Sequence, residues 1–409
     1  MLADFSVLRL RSYRYLFLSQ TISLLGSAIA PVALAFAVLD DRGGSASALG
    51  FVLAARALGQ VVFLLLGGVL ADRLPRFRLM AGSNLLAGCA EGGIAVMFIA
   101  HAAPLSAVIA LAAVNGSAAA LFLPASKGVI PQIVPARQRQ PATALMRLSR
   151  NSTAIIGSAV AGVLVATIGS GWALAFDAAT FVLATVLIIG IRVERADRAA
   201  PSTMLADLRE GWQEFRARSW VWLLVVQFAF VNGCFAAINV LGPVLARQYM
   251  GGAPAWAAVL TATAVGLVSG SLLAIRLRPR FPLRIAAAAT LGFVPPFFLL
   301  AFRAPLWLVA ASMFLNGVCG DIFQVLWDTS LQTHIPNEAL ARISSYDMIG
   351  SFVLGPLGLV AVGPLSAAFG ITPTLIGAGA LLTLATAVPW LTRTIRDLPA
   401  VPAPAATVP

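Results

Sequence analysis

The chain has 409 residues, 59% of them hydrophobic and only 11% charged, with a mean hydropathy of +0.90. A soluble globular domain carries about 25% charged residues, so this composition excludes a chain surrounded by water. The net charge of +12 does not point to nucleic acid, because the basic residues sit in short linkers between apolar runs, where membrane orientation places them.

Apolar runs near the roughly 20 residues that cross a bilayer recur along the whole chain. The ten-residue alternation of a membrane β-barrel is absent. Twelve spans are expected, at 13–39, 46–71, 79–100, 104–130, 142–167, 171–191, 220–246, 254–277, 284–302, 305–332, 341–368 and 371–391. The first follows "MLADFSVLRLRSYRYLFLSQ", which is basic and then apolar. Its apolar run is too long for a signal-peptide core and no small-residue cleavage site follows it, so a retained first span is expected. The pattern is that of an all-α polytopic membrane protein, with the lipid bilayer as its main partner. The linkers are short except 192–219, where Leu205, Leu208, Trp212 and Phe215 recur at three- and four-residue spacing. That spacing predicts an amphipathic cytoplasmic helix lying on the membrane. It separates six spans within 1–191 from six within 220–392. The Pro/Ala-rich end, 393–409, has nothing to bury and is expected to be a disordered cytoplasmic tail.

Arginine placement sets the orientation. With the N-terminus inside, 24 of the 28 Lys/Arg residues fall on the inner side, Arg42, Arg247 and Arg303 fall outside, and Arg56 lies within a span. The bias predicts cytoplasmic N- and C-termini. The two halves also look alike. "VNGSAAALF" at 114–122 matches "LNGVCGDIF" at 315–323, and the same offset pairs Pro135 with Pro336, Gly157 with Gly358, Gly162 with Gly363 and Gly169 with Gly370. Gln20 and Gly26 of span one similarly match Gln227 and Gly233 of span seven. Six-helix halves in parallel repetition are an architecture of membrane transporters, with the site between the halves near mid-membrane.

A charge inside the bilayer costs about 2.5–3.5 kcal/mol on insertion scales and needs a reason. Arg56 lies mid-way through span two and Glu91 mid-way through span three; Asp177 lies a turn or two into span six; Asp321 lies near the middle of span ten, with Asp328 seven residues on along the same face. One reading is a proton-coupling set of Glu91, Asp321 and Asp177, with Arg56 as counter-ion, because a carboxylate in an apolar cavity can take up and release a proton as the cavity changes sides. The other is that each carboxylate is locked in a buried pair that fixes packing. Repeat symmetry sets Lys127 of span four against Asp328 of span ten, a candidate cytoplasmic gate pair; two unrelated interfacial charges are the alternative. Asn115 and Asn316 hold equivalent repeat positions, which suits helix packing, as does the spacing of Gly88 with Gly92 and of Gly266 with Gly270. Cys89, Cys234 and Cys319 are widely spaced inside apolar runs, so neither a metal site nor a disulfide framework is expected. With only His101 and His334, no HExxH and no GxxxxGK[ST], no enzyme, cofactor or ATPase is indicated.

The hairpin "GGVLADRLPRFRLM", 67–80, carries a resemblance. It is similar to the loop signature between spans two and three of the major facilitator superfamily, matched by Gly68, Asp72, Arg73 and Arg76, with Arg78 supplying the last basic position one residue late and Pro75 standing in place of a glycine. The resemblance implies the major facilitator fold, twelve helices in two pseudo-symmetric halves, and a role for Asp72 in latching one state of the cycle near a helix N-terminus. "AARALGQVVFLLLGGVLADRLPR", "FDAATF", "DLREGWQEFRARSW" and "VLWDTSLQTHIPNEALARISSYDMIGSFVLGPLG" resemble the drug/proton antiporter branch that includes macrolide and enterobactin exporters. Antiporters of the superfamily often carry Gly-Pro in span five. Here that place holds Ala154-Ile155, followed by Gly157 and Gly162, and the pair occurs instead in span eleven as Gly355-Pro356, next to Gly358; the four glycines and Pro356 are expected to serve helix packing. The resemblance implies a monomeric, proton-driven exporter of hydrophobic or amphipathic small molecules in a bacterial cytoplasmic membrane. An importer or a lipid or metabolite carrier of the same fold is the alternative.

Overall fold

Without water in the hydrocarbon layer, every backbone N–H and C=O must be satisfied within the chain, and the helix does this inside one segment. A computed structural model describes residues 5–41, 43–127, 129–191 and 212–400, and within these the side chains of 5, 65–69, 71–73, 127, 337–338 and 341–342 are not described. Among the described residues, twelve helices are long and apolar enough to cross a membrane. We label them α1 (Arg11–Asp40), α2 (Ala46–Arg73), α3 (Arg76–Ile99), α4 (Leu105–Lys127), α5 (Arg139–Ile168), α6 (Ser170–Ile189), α7 (Ser219–Leu245), α8 (Ala253–Ala274), α9 (Pro282–Ala301), α10 (Leu306–His334), α11 (Asn337–Phe352 continued by Leu354–Phe369) and α12 (Ile371–Leu391).

Two helices are broken in ways that periodicity does not reveal. In α9 the segment Pro282–Ala289 gives way to a tighter turn, Thr290–Phe293, before Pro295–Ala301 resumes. Pro295 and Pro296 lack the N–H groups that would continue the helical ladder. In α11 the break falls after Phe352, the residue whose carbonyl would have received the missing N–H of Pro356.

The repeat is legible in backbone geometry. Gly169 between α5 and α6 and Gly370 between α11 and α12 hold φ of 91° and 93°, a region open to glycine. His101 after α3 and Arg303 after α9 hold φ of 52° and 53°. Both close the same helix-ending motif: Ala102 N–H donates to Met97 O at 3.0 Å and Ala304 N–H to Leu299 O at 2.9 Å. Side-by-side packing repeats too. A methyl at Gly116 of α4 would overlap the carbonyl of Arg56 on α2, and one at Gly59 would overlap Ala113 O. In the second half, Gly317 of α10 meets the carbonyl of Thr263 on α8, and Gly266 meets Phe314 O. These are the same crossing made twice.

Contacts divide the chain into two compact units. The first holds Met1–Ala200 with Val240–Thr261 and Leu359–Pro364; the second holds Pro201–Asn239, Ala262–Gly358 and Leu365–Pro409. Within the first unit, at the end where α1 finishes, Arg247 pairs with Asp40 at 2.9 Å and also donates to Leu39 O. Near that end, the position of a methyl at Gly50 lies 2.5 Å from Leu359 O, and one at Gly162 lies 2.7 Å from the Ala257 methyl. Within the second unit, Trp220 packs edge-on to Trp327, and Phe235 edge-on to Phe297. The chain is helical over 212–217, where Phe215 is buried and Trp212 stacks on it while meeting Tyr346. The remainder of the expected amphipathic linker, including Leu205 and Leu208, lies outside the described residues. The tail expected to be disordered from 393 needs correction at its start. Arg393–Arg396 is helical, Ile395 is fully buried, and Ala400 N–H donates to Arg280 O at 2.9 Å. One isoleucine supplies the burial that composition hid; 401–409 lie outside the description.

Gly116→Ala is expected to lower stability by about 1–3 kcal/mol, the usual cost of overpacking, because the methyl meets backbone that cannot step aside. Gly82→Ala, which enters open space, is the control. Thermal unfolding in detergent would show a lower Tm for the first and little change for the second.

Candidate functional site

The close crossing of α2 with α4 brings Arg56 beside the α4 turn that carries Asn115. Small residues also let α3 approach α6: methyl positions at Gly88 and Gly92 lie 3.1 Å from Phe181 Cβ and 3.6 Å from Ala178 Cβ. The residues next to Gly92 and Ala178 are Glu91 and Asp177. Four helices of the first unit therefore converge on Arg56, Glu91, Asn115 and Asp177. Glu91 is 1% exposed and Asp177 fully buried. Asn115 Nδ2 donates to Glu91 Oε2 at 2.9 Å and reaches Ala87 O at 3.5 Å. Thr180 Oγ1 donates to the Asp177 carbonyl at 2.7 Å and lies 3.4 Å from Asp177 Oδ1. The other carboxylate oxygens, Glu91 Oε1 and Asp177 Oδ2, are buried without a hydrogen-bond partner. Glu91 and Asp177 are within electrostatic range of each other and of Arg56. From α1, Gly26 makes room for this site, since a methyl there would overlap Asp177 Oδ1 and Thr180 Oγ1.

The scaffold is duplicated but the charges are not. The crossing that seats Arg56 in the first half seats Thr263 in the second. The spacing that aligns His101 with Arg303 sets Glu91 against Phe293, and the spacing that aligns Gly169 with Gly370 sets Asp177 against Ala378. A buried charge is costly wherever it sits. The second half folds to the same crossings with a hydroxyl, a ring and a methyl at these places, so packing does not require the three charges.

The remaining expected site residues are dispersed. Asp321 belongs to the second unit, where Ser271 Oγ donates to its Oδ2 at 2.5 Å. Asp328 is exposed and accepts from Gln324 Nε2 at 3.0 Å; the side chain of Lys127 lies outside the description. The hairpin signature forms a two-residue joint, α2 ending at Arg73 and α3 starting at Arg76. The side chains of Gly68, Asp72 and Arg73 fall outside the description, Arg76 is half-buried and Arg78 exposed. Among the packing residues, Gly157 meets Ala28 (2.5 Å for a methyl), Gly162 meets Ala257 and Gly358 meets Gly233. A methyl at Gly355 would enter open space, so no close approach demands a glycine there; Pro356 beside it breaks the helix instead. Asn115 bridges α4 to α3, the packing role expected of it, and does so through Glu91.

Asp347 of α11 was not anticipated. Trp327 Nε1 donates to it at 3.0 Å and Ser351 Oγ at 3.2 Å. It is a charge inside an expected span, the signal that marked the others, but it sits close to the span's start and passes for an interfacial residue.

The Major Facilitator Superfamily sequence profile matches residues 16–358. The chain belongs to that superfamily. It is 25% identical over 371 residues to the multidrug efflux pump Tap of Mycobacterium tuberculosis, covering 86% of each chain. It is 25% identical over 390 residues to the enterobactin exporter EntS of Escherichia coli O1:K1, covering 91% of this chain and 92% of that one. The fold matches the crystal structure of the nucleoside transporter NupG with a TM-score of 0.73 at 12% identity, covering 92% of this chain and 97% of that one. This protein is thus a multi-pass membrane transporter.

Asn115→Leu strips Glu91 of its donor while keeping the volume, and is expected to cost about 1–3 kcal/mol, the penalty for a stranded buried acceptor. The double variant with Glu91→Leu should cost less than the two singles together, because the pair is removed as a unit. Unfolding midpoints in detergent check both.

Proposed function

We propose that this transporter is a proton-coupled exporter of hydrophobic or amphipathic small molecules, working by alternating access as a monomer in a bacterial cytoplasmic membrane with both termini inside. The observation that carries the coupling is the buried cluster of Glu91 and Asp177 with Arg56. Two carboxylates inside the membrane each keep an unpartnered oxygen, which is where a proton can bind. Export is supported by the efflux pump and the siderophore exporter among the relatives. Asp321 with Ser271 is a second carboxylate able to carry a proton in the other unit, and Asp72 with its neighbouring arginines is the candidate latch. The proton gradient is then the energy source, with no cofactor. Import, or carriage of a lipid or metabolite, is favoured by one feature, Ala154-Ile155 where antiporters of the superfamily often have Gly-Pro.

The test is accumulation of ethidium, rhodamine-type cations and macrolides in efflux-deficient cells. Export predicts several-fold lower accumulation than in empty-vector cells, abolished by an uncoupler and strengthened by acidifying the medium. Glu91→Gln and Asp177→Asn should return accumulation to the control level at equal expression. Accumulation above the control would overturn export in favour of import.

A further inference from the structure

The buried cluster also carries a charge count. The charged groups are Arg56 from α2, Glu91 from α3 and Asp177 from α6; the same cluster receives Asn115 from α4, Thr180 from α6 and Gly26 from α1, none of which is charged. Among the described residues, no charged side chain outside the cluster forms an ion pair with either carboxylate. Glu91 has one oxygen satisfied by the Asn115 amide, Asp177 has one oxygen 3.4 Å from a Thr180 hydroxyl that donates to backbone, and each acid keeps one buried oxygen open. Neither forms a contact ion pair with Arg56, so the guanidinium is a counter-charge to both rather than the partner of one. Two ionised carboxylates against one guanidinium would leave a net charge in a medium that solvates it poorly, whereas one added proton brings the cluster to neutrality.

We infer that Glu91 and Asp177 act as a single unit that holds one exchangeable proton between them, with Arg56 as its fixed counter-charge. This rests on the proton-coupled reading above and deepens it by setting the stoichiometry of this site at one. Discharge breaks the O–H bond of whichever carboxyl holds the proton, the electron pair stays on the carboxylate, and water takes the proton. Because the two acids share one counter-charge, removing either one removes the need for the proton. The surviving carboxylate is then balanced by Arg56 alone.

Infrared spectroscopy of the full-length purified protein near neutral pH, without any substrate, counts the protonated carboxyls. The readout is the C=O stretch of protonated carboxyls, taken as variant-minus-wild-type difference spectra. Glu91→Gln should remove a band equal to one carboxyl, Asp177→Asn should remove the same amount, and the double variant should remove no more than either single. Arg56→Gln should add one protonated carboxyl, since both acids then need a proton. If the double variant removes twice what each single removes, the two acids are protonated independently and the inference fails. If no variant alters the band, both are ionised and it also fails. Should Arg56→Gln not fold, the three carboxyl variants still decide. An uncoupler-sensitive exporter that lacks this pattern would keep the proposed function and lose only the shared proton.

Discussion

The absence of water in the hydrocarbon layer governs everything else in this molecule. It forces the backbone into helices, because no other single-segment arrangement satisfies its polar groups. It also makes each ionised side chain a liability that needs a counter-charge, a hydrogen bond or a proton. The cluster of buried Glu91 and Asp177 with half-buried Arg56 is where the chain accepts that liability most deeply. Neighbouring positions are shaped around it: Gly26 yields space, Asn115 gives its amide, and Gly88 and Gly92 let α3 approach α6.

Helix packing in lipid gains little from apolar contact alone, since lipid tails are as apolar as leucine, so close approach of backbones matters more. The two crossings through Gly59 and Gly116 and through Gly266 and Gly317 show this in duplicate. Their agreement separates scaffold from function. Features present in both halves, such as the crossings, the glycine joints at Gly169 and Gly370 and the motif closed by His101 and Arg303, are what six helices need in order to pack. Features present in one half only are free to serve chemistry. Glu91 against Phe293 and Asp177 against Ala378 are of the second kind. The second unit has its own acids, Asp321 held by Ser271 and Asp347 held by Trp327 and Ser351, each tied to a donor.

Much of this was legible in the chain itself. Hydropathy placed all twelve spans to within about three residues of the helix or span limits, because burial in lipid demands a length and a composition that few other segments have. Repeat spacing exposed the two halves, and charge inside apolar runs exposed Arg56, Glu91, Asp177 and Asp321. What sequence could not show was company. Asn115 and Asn316 look alike in the repeat, yet Asn115 faces a carboxylate on α3 because Glu91 stands where the second half has Phe293. Gly355 looks like a packing glycine, yet a methyl there would enter open space. The breaks in α9 and α11 follow from prolines whose neighbours are as apolar as those of an intact span.

The sequence by itself determined the solvent, the number of crossings and the residues that are costly to bury, since these depend on composition and one-dimensional spacing. Only the tertiary structure decided which costly residues share a site. Glu91 and Asp177 are 86 positions apart in the chain, and their meeting depends on glycines that let α3 and α6 touch. Which side chains face one another across helices is set by close packing in three dimensions, and no periodicity along a single helix encodes it.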